Sequence, residues 1–406
     1  MALQAGWIGQ LGRAGVKRAG VHRPVMGDFF PLTRAEGLAR LQTYTPRMGR
    51  AYEGTRNTDR GAGVVPTTSA LSPWLRRRLL LEEETVRTAI GAHGPAATDK
   101  FVSEVFWRTY FKGYLETRPA IWTDYLRLVA EGEAALAGNA GLRRAYDQAI
   151  EGRTGIDGFD DWARALTTGN WLHNHTRMWF ASIWVFTLKL PWALGAAHFM
   201  AHLIDGDPAS NTLSWRWVAG LHTKGKAYAA RAENIRRYTD GRYDPRGLDE
   251  SPVALNEADG PGVRPLPPAD AVPGGEVALL LHLDDLRPES LDLRGARVAR
   301  VGGLLAHAPG AADAVIAADR DAMVDALARA AAHFGCAAEL AGAGWAGELP
   351  IVTAWAPVGP SATALPAGVC RVRRDWDSAV WPRSTKGFFQ VRAAITELLR
   401  ARGIAA

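Results

Sequence analysis

The chain has 406 residues, too many for one compact core, so we expect more than one domain. Its hydrophobic content of 47% with 22% charged residues is ordinary for a globular protein and excludes wholesale disorder. The two cysteines, Cys336 and Cys370, are too few for a disulfide framework or a four-thiolate metal site, and they favour a reducing, cytoplasmic compartment.

Positive charge and tryptophan are concentrated in the first part of the chain. Residues 1–249 carry 33 Lys and Arg against 24 Asp and Glu, whereas residues 250–406 carry 15 against 18. Nine of the 15 tryptophans lie between Trp107 and Trp217. Cations beside aromatic faces suit a nucleic-acid surface, but many solvated arginine-rich surfaces have the same composition. Composition leaves both interpretations open.

The first 28 residues contain four basic residues and no acidic residue before Asp28. A transit peptide has this composition, and so does a disordered start. We predict a flexible basic tail over 1–28.

The remaining chain divides into two parts joined by a linker. Residues 29–250 have a helical pattern, and 251–275 are rich in Pro and Gly. Beyond them, strand-like runs at 277–283, 314–318, 351–355 and 370–373 accompany helical runs at 322–334 and 388–402. We therefore predict a mainly α fold, with a helical domain followed by a small α/β, Rossmann-like domain over 276–406.

The most apolar stretch of the helical part runs from Ile183 to Ile204. Lys189, Pro191 and two histidines interrupt it, so we predict no transmembrane helix and no membrane partner.

Two segments of the helical part have residues that could bind a ligand. Hydroxyl groups at 67–72 precede Pro73 and predict a helix start, where free N–H groups attract phosphate, although a simple helix cap has the same sequence. Residues 98–119 predict a helix capped by Thr98 or Asp99. It carries Glu104, Trp107 and Arg108 on one face, either as an internal ion pair or as part of a pocket.

Two further segments follow. Residues 169–191 predict a helix with Asn174 and Arg177 among apolar neighbours. An unpaired buried polar group costs about 1–3 kcal/mol, so both need a partner in the protein or in a ligand. In the segment 202–217, Asp207 is predicted to cap a helix that begins at Pro208 and carries Asn211 and Trp215 one turn apart.

Two formal motifs are not interpreted as sites. Gly342, Gly344 and Gly347 spell G-x-G-x-x-G, but they follow a helical stretch and precede a predicted strand, whereas the dinucleotide fingerprint follows a strand and opens a helix. His198 and His202 are one turn apart without the glutamate of H-E-x-x-H, so we predict helix packing and no metal.

The four segments, in this order, resemble the FAD-binding helical domain of the photolyase/cryptochrome family. The strongest match is Trp171–Met178, followed by LIDGDPASN and the pair Trp215 and Trp217. The resemblance covers roughly residues 29–245. It implies a photolyase-like helical fold that binds a U-shaped, non-covalent FAD.

The resemblance also implies which residues hold the cofactor. Those around the phosphates and ribityl chain are Tyr52, Arg56, Thr68, Ser69, Leu71 and Ser72. Those lining the pocket are Phe101, Arg108 and Trp171. Arg177 and Asp205 correspond to the ion pair beside the isoalloxazine, Asp207 completes the turn at its edge, and Asn211 faces its N5.

Electron supply and substrate residues follow from the same resemblance. Trp215 and Trp192 correspond to the first two members of the photoreduction chain, and candidates for the third are Trp179, Trp184 and Trp122. Positions that surround a flipped cyclobutane dimer are occupied by Glu104, Trp107, Asn174, Met178 and Trp217. The (6-4) photolyases have histidines in place of Asn174 and Met178, so the pocket resembles the cyclobutane type. Glu104 would stabilise the reacting dimer, and the two tryptophans would form the apolar wedge.

This sequence also departs from the family pattern. The family's α/β antenna domain precedes the helical domain, whereas here only about 28 residues do. Residues 381–399 resemble the end of that domain, which suggests a permuted order, and an antenna chromophore is not expected. His175 replaces a DNA-contacting arginine, and the helices that normally follow Trp217 are missing. Phosphates would then be met by Lys224, Lys226, Arg231, Arg236 and Arg237.

Taken together, the resemblance implies a deoxyribodipyrimidine photolyase-like lyase that splits cyclobutane pyrimidine dimers in DNA by electron transfer from excited reduced FAD. The thinner DNA contacts predict a preference for single-stranded lesions. The main alternative is a cryptochrome-like blue-light sensor that binds FAD without repair activity. A third is a flavin-binding redox or structural protein that does not use light.

Overall fold

The fold was obtained as a computed structural model, which describes residues 30–61, 67–257 and 262–404. The tail predicted over 1–28 lies outside these residues. None of the described helices has the length and apolar character needed to cross a bilayer.

The first part of the chain is helical, as predicted. Its helices are α1 (Arg34–Tyr44), α2 (Arg50–Thr55), α3 (Ser72–Arg76), α4 (Glu82–Glu116), α5 (Ala120–Gly138), α6 (Ala140–Ile150), α7 (Phe159–Gly169), α8 (Asn174–Ser182), α9 (Trp192–His202), α10 (Pro208–Val218) and α11 (Ala232–Tyr238). A 3₁₀ turn (Thr45–Arg47) precedes α2, and a π turn (Ile183–Thr187) follows α8.

Helix α4 begins well before the predicted cap at Thr98 or Asp99, so that prediction was wrong. The helix is kinked at Gly94 (φ 74°, ψ 162°), which Pro95 follows. Glycine adopts this positive φ at little cost, and proline removes a helical hydrogen bond at the kink. The Thr98 hydroxyl donates to the carbonyl of Gly94 at 2.8 Å and lies inside the helix.

The single helix predicted over 169–191 is also wrong, because the chain breaks there. Gly169 ends α7, and Asn170 adopts a left-handed conformation (φ 54°). Helix α8 begins at Asn174, with the ring of His173 accepting from the N–H of His175. The predicted start of α10 is confirmed, since Asp207 accepts from the N–H of Ser210 at 2.8 Å and Pro208 is the first helical residue.

The predicted α/β part is confirmed as a five-stranded parallel sheet with the strand order β3-β2-β1-β4-β5. Its strands are β1 (Glu276–His282), β2 (Arg297–Leu304), β3 (Ala337–Leu340), β4 (Ile351–Ala354) and β5 (Cys370–Val372). Its helices are α12 (Asp313–Phe334), α13 (Pro360–Ala364), α14 (Asp375–Val380) and α15 (Phe389–Arg400). The order reverses between β1 and β4, as in doubly wound folds.

Individual strands were less predictable than the class. The strand predicted at 314–318 lies inside α12, because a short apolar run fits a buried helix as well as a strand. Strands β2 and β3 were missed, since charged residues and a Gly pair interrupt their apolar pattern. The G-x-G-x-x-G glycines follow β3, not a helical stretch as predicted, and lead through a turn to β4 without opening a helix.

The sheet packs directly against the first helices. One apolar cluster contains Trp74 and Phe106 of the helical part together with Leu279 and Val301 of the sheet. The linker has no helix or strand in its described residues, and it is held where the N–H of Leu255 donates to the carbonyl of Ala219 and that of Arg264 to the carbonyl of Thr117. The division into domains at 250 and 276 stays a prediction.

Candidate functional site

The turn between α9 and α10, residues 203–207, is the centre of the candidate site. Both carboxylate oxygens of Asp205 accept from Nη2 of Arg177 at 3.0 Å, and Nε of Arg177 donates to the carbonyl of Leu172 at 2.9 Å. Burial acts to raise the pKa of Asp205. The Arg177 guanidinium and a hydrogen bond from Ser72 outweigh it and lower that pKa. The ion pair expected beside the flavin is therefore formed and ionised.

Asp207 faces two cations of α4. Nη1 of Arg108 and Nζ of Lys112 each lie 3.6 Å from its Oδ2. Burial opposes ionisation, but Lys112 and Arg108 hold the pKa of Asp207 well below its usual range. The sequence analysis missed Lys112. Its position one helical turn after Arg108 was the available signal.

Several buried polar atoms around this turn have no hydrogen-bond partner within the described ranges. They are Nη1 of Arg108, Nζ of Lys112, Oδ2 of Asp207 and Nε1 of Trp171. Arg108 and Lys112 are ion-paired with Asp207 at 3.6 Å but make no hydrogen bond through these atoms. A buried polar atom without a hydrogen bond costs about 1–3 kcal/mol, so a ligand that bonds to these atoms is favoured. Three donors and one acceptor fit the edge of a flavin ring, which carries carbonyl oxygens and an N–H group.

Four of the residues predicted to meet the phosphates and ribityl chain lie at the start of α3, whereas Tyr52 and Arg56 lie in α2 and directly after it. Thr68, Ser69 and Ser72 are half-buried. The predicted helix start is confirmed, because α3 begins at Ser72, whereas the alternative of a simple side-chain cap is not formed. The Leu71 side chain is fully buried in the apolar cluster, so only its backbone is available to a ligand.

Residues predicted for the cofactor and for the substrate meet on α4. Phe101 packs edge-on against Tyr52 with ring centroids 5.3 Å apart, and both are buried. One turn further, Glu104 forms an ion pair with Arg56. This pair joins a residue predicted for the cofactor to one predicted for the substrate.

The predicted substrate residues are the more accessible ones. Asn174 is exposed at the first position of α8, and Met178 is half-buried one turn later. Trp217 is half-buried and lies 5.5 Å from the ring of Tyr228. Trp107 is stacked on Phe388 of the α/β part, with centroids 3.9 Å apart and planes at 16°. No local pattern could have indicated Phe388, which comes from a distant part of the chain.

Asn211 and Trp215, both on α10, pack against α9. Nδ2 of Asn211 donates to the carbonyl of Ala196 at 2.8 Å. Trp215 packs against Phe199 and Trp184 at 5.0 and 6.3 Å, in space that Gly195 leaves free.

The candidates for a third relay differ in their surroundings. Trp192 lies 6.0 Å from Tyr125, and Tyr125 lies 5.1 Å from Trp122. Trp184 contacts Trp215 directly, whereas Trp179 stacks on Trp162. Trp122 is therefore linked to Trp192 through an aromatic neighbour.

The histidines singled out in the sequence are internally satisfied or packed. His175 is buried, with Nδ1 at 2.9 Å from the carbonyl of Asn57 and Nε2 at 3.3 Å from the Tyr228 hydroxyl. His198 packs on His202 with ring centroids 4.4 Å apart, and burial lowers the pKa of His198 to about 3. In the part of the chain that the structure describes, no group of three or more His, Cys, Asp or Glu side chains is arranged to hold a metal.

Comparison with known proteins matches residues 101–248 to the family described as the FAD binding domain of DNA photolyase. A deoxyribodipyrimidine photo-lyase of Streptomyces griseus is 33% identical over 186 residues, 42% of this chain and 38% of that protein. The Escherichia coli photo-lyase is 28% identical over 49% of this chain and 42% of its own length. A Synechocystis cryptochrome structure is 24% identical over 51% of this chain and 43% of its own, with a TM-score of 0.43.

The chain thus spans about two fifths of the length of these curated relatives. The matched region contains α8, the Asp205 turn and α10, together with the cationic face of α4 that meets Asp207. Residues 101–248 of the chain are therefore similar to the FAD-binding domain of DNA photolyase.

Proposed function

We propose that this protein is a light-dependent flavoprotein that splits cyclobutane pyrimidine dimers in DNA. The observation that carries the proposal is the arrangement of α4. Arg108 and Lys112 reach the Asp207 side of the candidate flavin turn, and Glu104 and Trp107 lie on the same face of α4, within one turn before Arg108. One helix would therefore line both the cofactor side and the substrate side.

The proposed cofactor is non-covalent FAD, supported by the family match over 101–248 and by the unpartnered polar atoms around Asp207. When bound and reduced, FAD would supply the electron that light sends to the dimer. Arg177 and Asp205 would orient the ring edge, Trp171 and Arg108 would donate to it, and half-buried Thr68, Ser69 and Ser72 would meet the phosphates and ribityl chain. Arg56 and Tyr52 would complete that side, and Asn211 would lie behind N5.

The proposed substrate groups act through charge and stacking. Glu104 would hydrogen-bond to a carbonyl of the dimer and stabilise the negative charge that develops there, with Arg56 orienting its carboxylate. Trp107 and Trp217 would pack against the extruded bases, with Asn174 and Met178 on the opposite wall. The exposed cations of residues 224–237 would meet the backbone phosphates. Because His175 is buried and internally bonded, it would add no contact to the DNA backbone, which supports the proposed preference for single-stranded lesions.

We propose no antenna chromophore in the sheet. In doubly wound sheets, ligands bind at the carboxyl ends of the strands where the order reverses. Here Arg76 pairs with Asp284 and Arg78 with Asp285, directly after β1, so the helical part fills this crevice.

The free thiols of Cys336 and Cys370 support a cytoplasmic location.

A blue-light sensor without repair activity is the alternative, and one observation favours it. Phe388 covers one face of Trp107, which a lesion base would otherwise use for stacking. A repair assay separates the two functions.

The decisive experiment is turnover of cyclobutane-dimer oligonucleotides by reduced, FAD-loaded protein under blue light. We expect repair in light and none in the dark, with single strands favoured over duplexes. Glu104→Gln should lower the repair rate by about 10²-fold while lesion binding changes much less, because its role lies in stabilising developing charge.

The matched control is Glu131→Gln, an exposed carboxylate on α5 that should leave repair unchanged. An FAD-loaded protein that reduces in light but turns over no dimer would overturn the repair proposal in favour of the sensor. Repair of (6-4) lesions instead of cyclobutane dimers would contradict the substrate assignment.

Electron supply gives a second prediction. Trp215→Phe should retain fold and FAD, because the ring is reduced in size but stays aromatic in an apolar site. Blue-light photoreduction with an external thiol should slow by at least about 10-fold, while repair by chemically pre-reduced enzyme stays near the wild-type rate. Trp162→Phe, a buried tryptophan stacked on Trp179, is the control. Wild-type photoreduction in the Trp215 variant would assign that residue to packing.

A further inference from the structure

Two adjacent arginines hold the backbone on both sides of Asp205. Nη1 of Arg77 donates to the carbonyl of Ile204 at 2.7 Å, and Nε of Arg76 donates to the carbonyl of Gly206 at 2.7 Å. Both guanidiniums are buried. The carbonyl groups of the residues before and after Asp205 are therefore fixed by charge-assisted hydrogen bonds, which are shorter and stronger than neutral ones.

The charges of these arginines are balanced by the α/β part of the chain. Nη1 of Arg76 donates to Oδ1 of Asp284 at 2.9 Å and to the carbonyl of Leu283 at 2.8 Å, just after β1. Nε of Arg77 donates to Oδ1 of Asp319 in α12 at 2.7 Å, and Oδ2 of Asp319 lies 3.0 Å from Nδ1 of His307. Each carboxylate thus orients the guanidinium that holds the turn.

Losing either carboxylate would change the orientation of its arginine. A buried guanidinium without a counter-charge is strongly disfavoured, so it would move towards water or towards another acceptor. The hydrogen bond to Ile204 or Gly206 would then weaken, and the Asp205 carboxylate would lose its fixed position opposite Arg177.

We propose that Asp284 and Asp319 are positioning residues for the flavin turn, so that the α/β part sets the affinity of the helical part for FAD. The inference deepens the proposed function, since it takes FAD as the ligand of the turn. It assigns the sheet and α12 a role in cofactor binding that does not require them to touch the cofactor.

The chain supplies a matched control in the next residue. Asp285 is as buried as Asp284, also follows β1, and also pairs with a buried arginine, Arg78. Arg78 bonds to Glu82, Asp285 and Asp377 and makes no hydrogen bond to residues 203–207 among the described contacts. Asp285→Asn therefore disturbs the same kind of ion pair without touching the turn.

The experiment compares Asp284→Asn, Asp319→Asn and Asp285→Asn in the full chain. FAD is removed, and its dissociation constant is measured on reconstitution by flavin fluorescence, with urea stability of each flavin-free protein recorded in parallel. We expect the first two variants to weaken FAD binding about 10-fold more than Asp285→Asn at comparable stability. Equal weakening in all three would reduce the carboxylates to structural ion pairs and overturn the inference.

A double-mutant cycle tests the route of the effect. In an Asp205→Asn background, Asp284→Asn should weaken FAD binding by less than twofold, because the carboxylate that it positions is already absent. Full additivity of the two substitutions would contradict the positioning role.

Hydrogen exchange of the flavin-free protein separates this inference from the proposed function. Amides of residues 203–207 should exchange faster in Asp284→Asn and Asp319→Asn than in Asp285→Asn, and unchanged protection would overturn the inference even if FAD binds. If the wild-type protein binds no FAD but residues 203–207 still exchange faster in Asp284→Asn and Asp319→Asn, the proposed function fails. The positioning of the turn by these two carboxylates would then still stand.

Discussion

Arg78→Met is expected to lower the free energy of unfolding by about 3–5 kcal/mol, the largest stability effect of any substitution considered. The Arg78 guanidinium is buried and contacts three carboxylates, those of Glu82, Asp285 and Asp377. Arg374 also pairs with Asp285, but Glu82 and Asp377 would lose their hydrogen-bonded cation in a buried site. A backbone φ of 51° at Arg78, which side-chain-bearing residues seldom adopt, shows that these pairs also hold an unfavourable conformation.

Urea unfolding at constant pH measures this effect. Arg87→Met is the matched control, because Arg87 pairs with Glu83 on the exposed side of α4, and a surface pair contributes at most about 1 kcal/mol. Similar losses in the two variants would show that the buried network adds nothing beyond a surface ion pair.

Glu116→Gln is expected to remove a pH dependence of about 3 kcal/mol from the stability of the protein. Glu116 is buried between α4 and the loop after β4, where Oε1 accepts from the N–H of Val358 at 2.7 Å and Oε2 from Nε1 of Trp355 at 3.3 Å. Burial dominates these hydrogen bonds and the nearby Arg373, and it raises the pKa of Glu116 to about 7.

The sign follows from comparing proton binding in the two states. Between the unfolded pKa of about 4.5 and the folded pKa of about 7, the folded protein keeps a proton that the unfolded chain has released. Stability from this group therefore falls as the pH rises through that range. The neutral glutamine lacks this loss, so the variant should gain about 3 kcal/mol relative to wild type between pH 5 and pH 8.

The difference between variant and wild type isolates Glu116 from other groups. His198 and His222, whose pKa values burial lowers to about 3 and about 4, change stability in the opposite direction over part of this range, but they do so in both proteins. Urea unfolding at half-unit pH steps measures the difference. A constant difference across the range would show that Glu116 ionises normally in the folded protein.

Local sequence patterns predicted those features of the candidate site that depend only on residues close together in the chain. The start of α10 followed from Asp207 and Pro208, because a cap needs only the next turn of helix. The family resemblance also paired Arg177 with Asp205, and the structure joins them by two hydrogen bonds. Lys112 was within reach of the same reasoning, one turn beyond Arg108.

What the sequence did not indicate depends on contacts between distant segments. The run of arginines at 76–78 resembles a solvated basic surface until Asp284, Asp319 and Asp377 are brought to it by the sheet and its helices. The same holds for Phe388 against Trp107. Strand β2 was not predicted, for a different reason. Its charged residues and glycines weaken the apolar alternation on which a strand assignment depends.

The ion pairs that join the arginines to the sheet also constrain the order in which the protein matures on the ribosome. Arg76 precedes Asp284 by 208 residues, and Arg78 precedes Asp377 by 299. At about 5–20 residues per second, the second separation corresponds to roughly 15–60 s of translation. During that interval, helices α3 and α4 have emerged but lack the carboxylates and apolar side chains that cover them. Because Arg76 and Arg77, which bond to the carbonyls of Gly206 and Ile204, pair with Asp284 and Asp319, the turn at 203–207 would gain these contacts only after α12 has been synthesised.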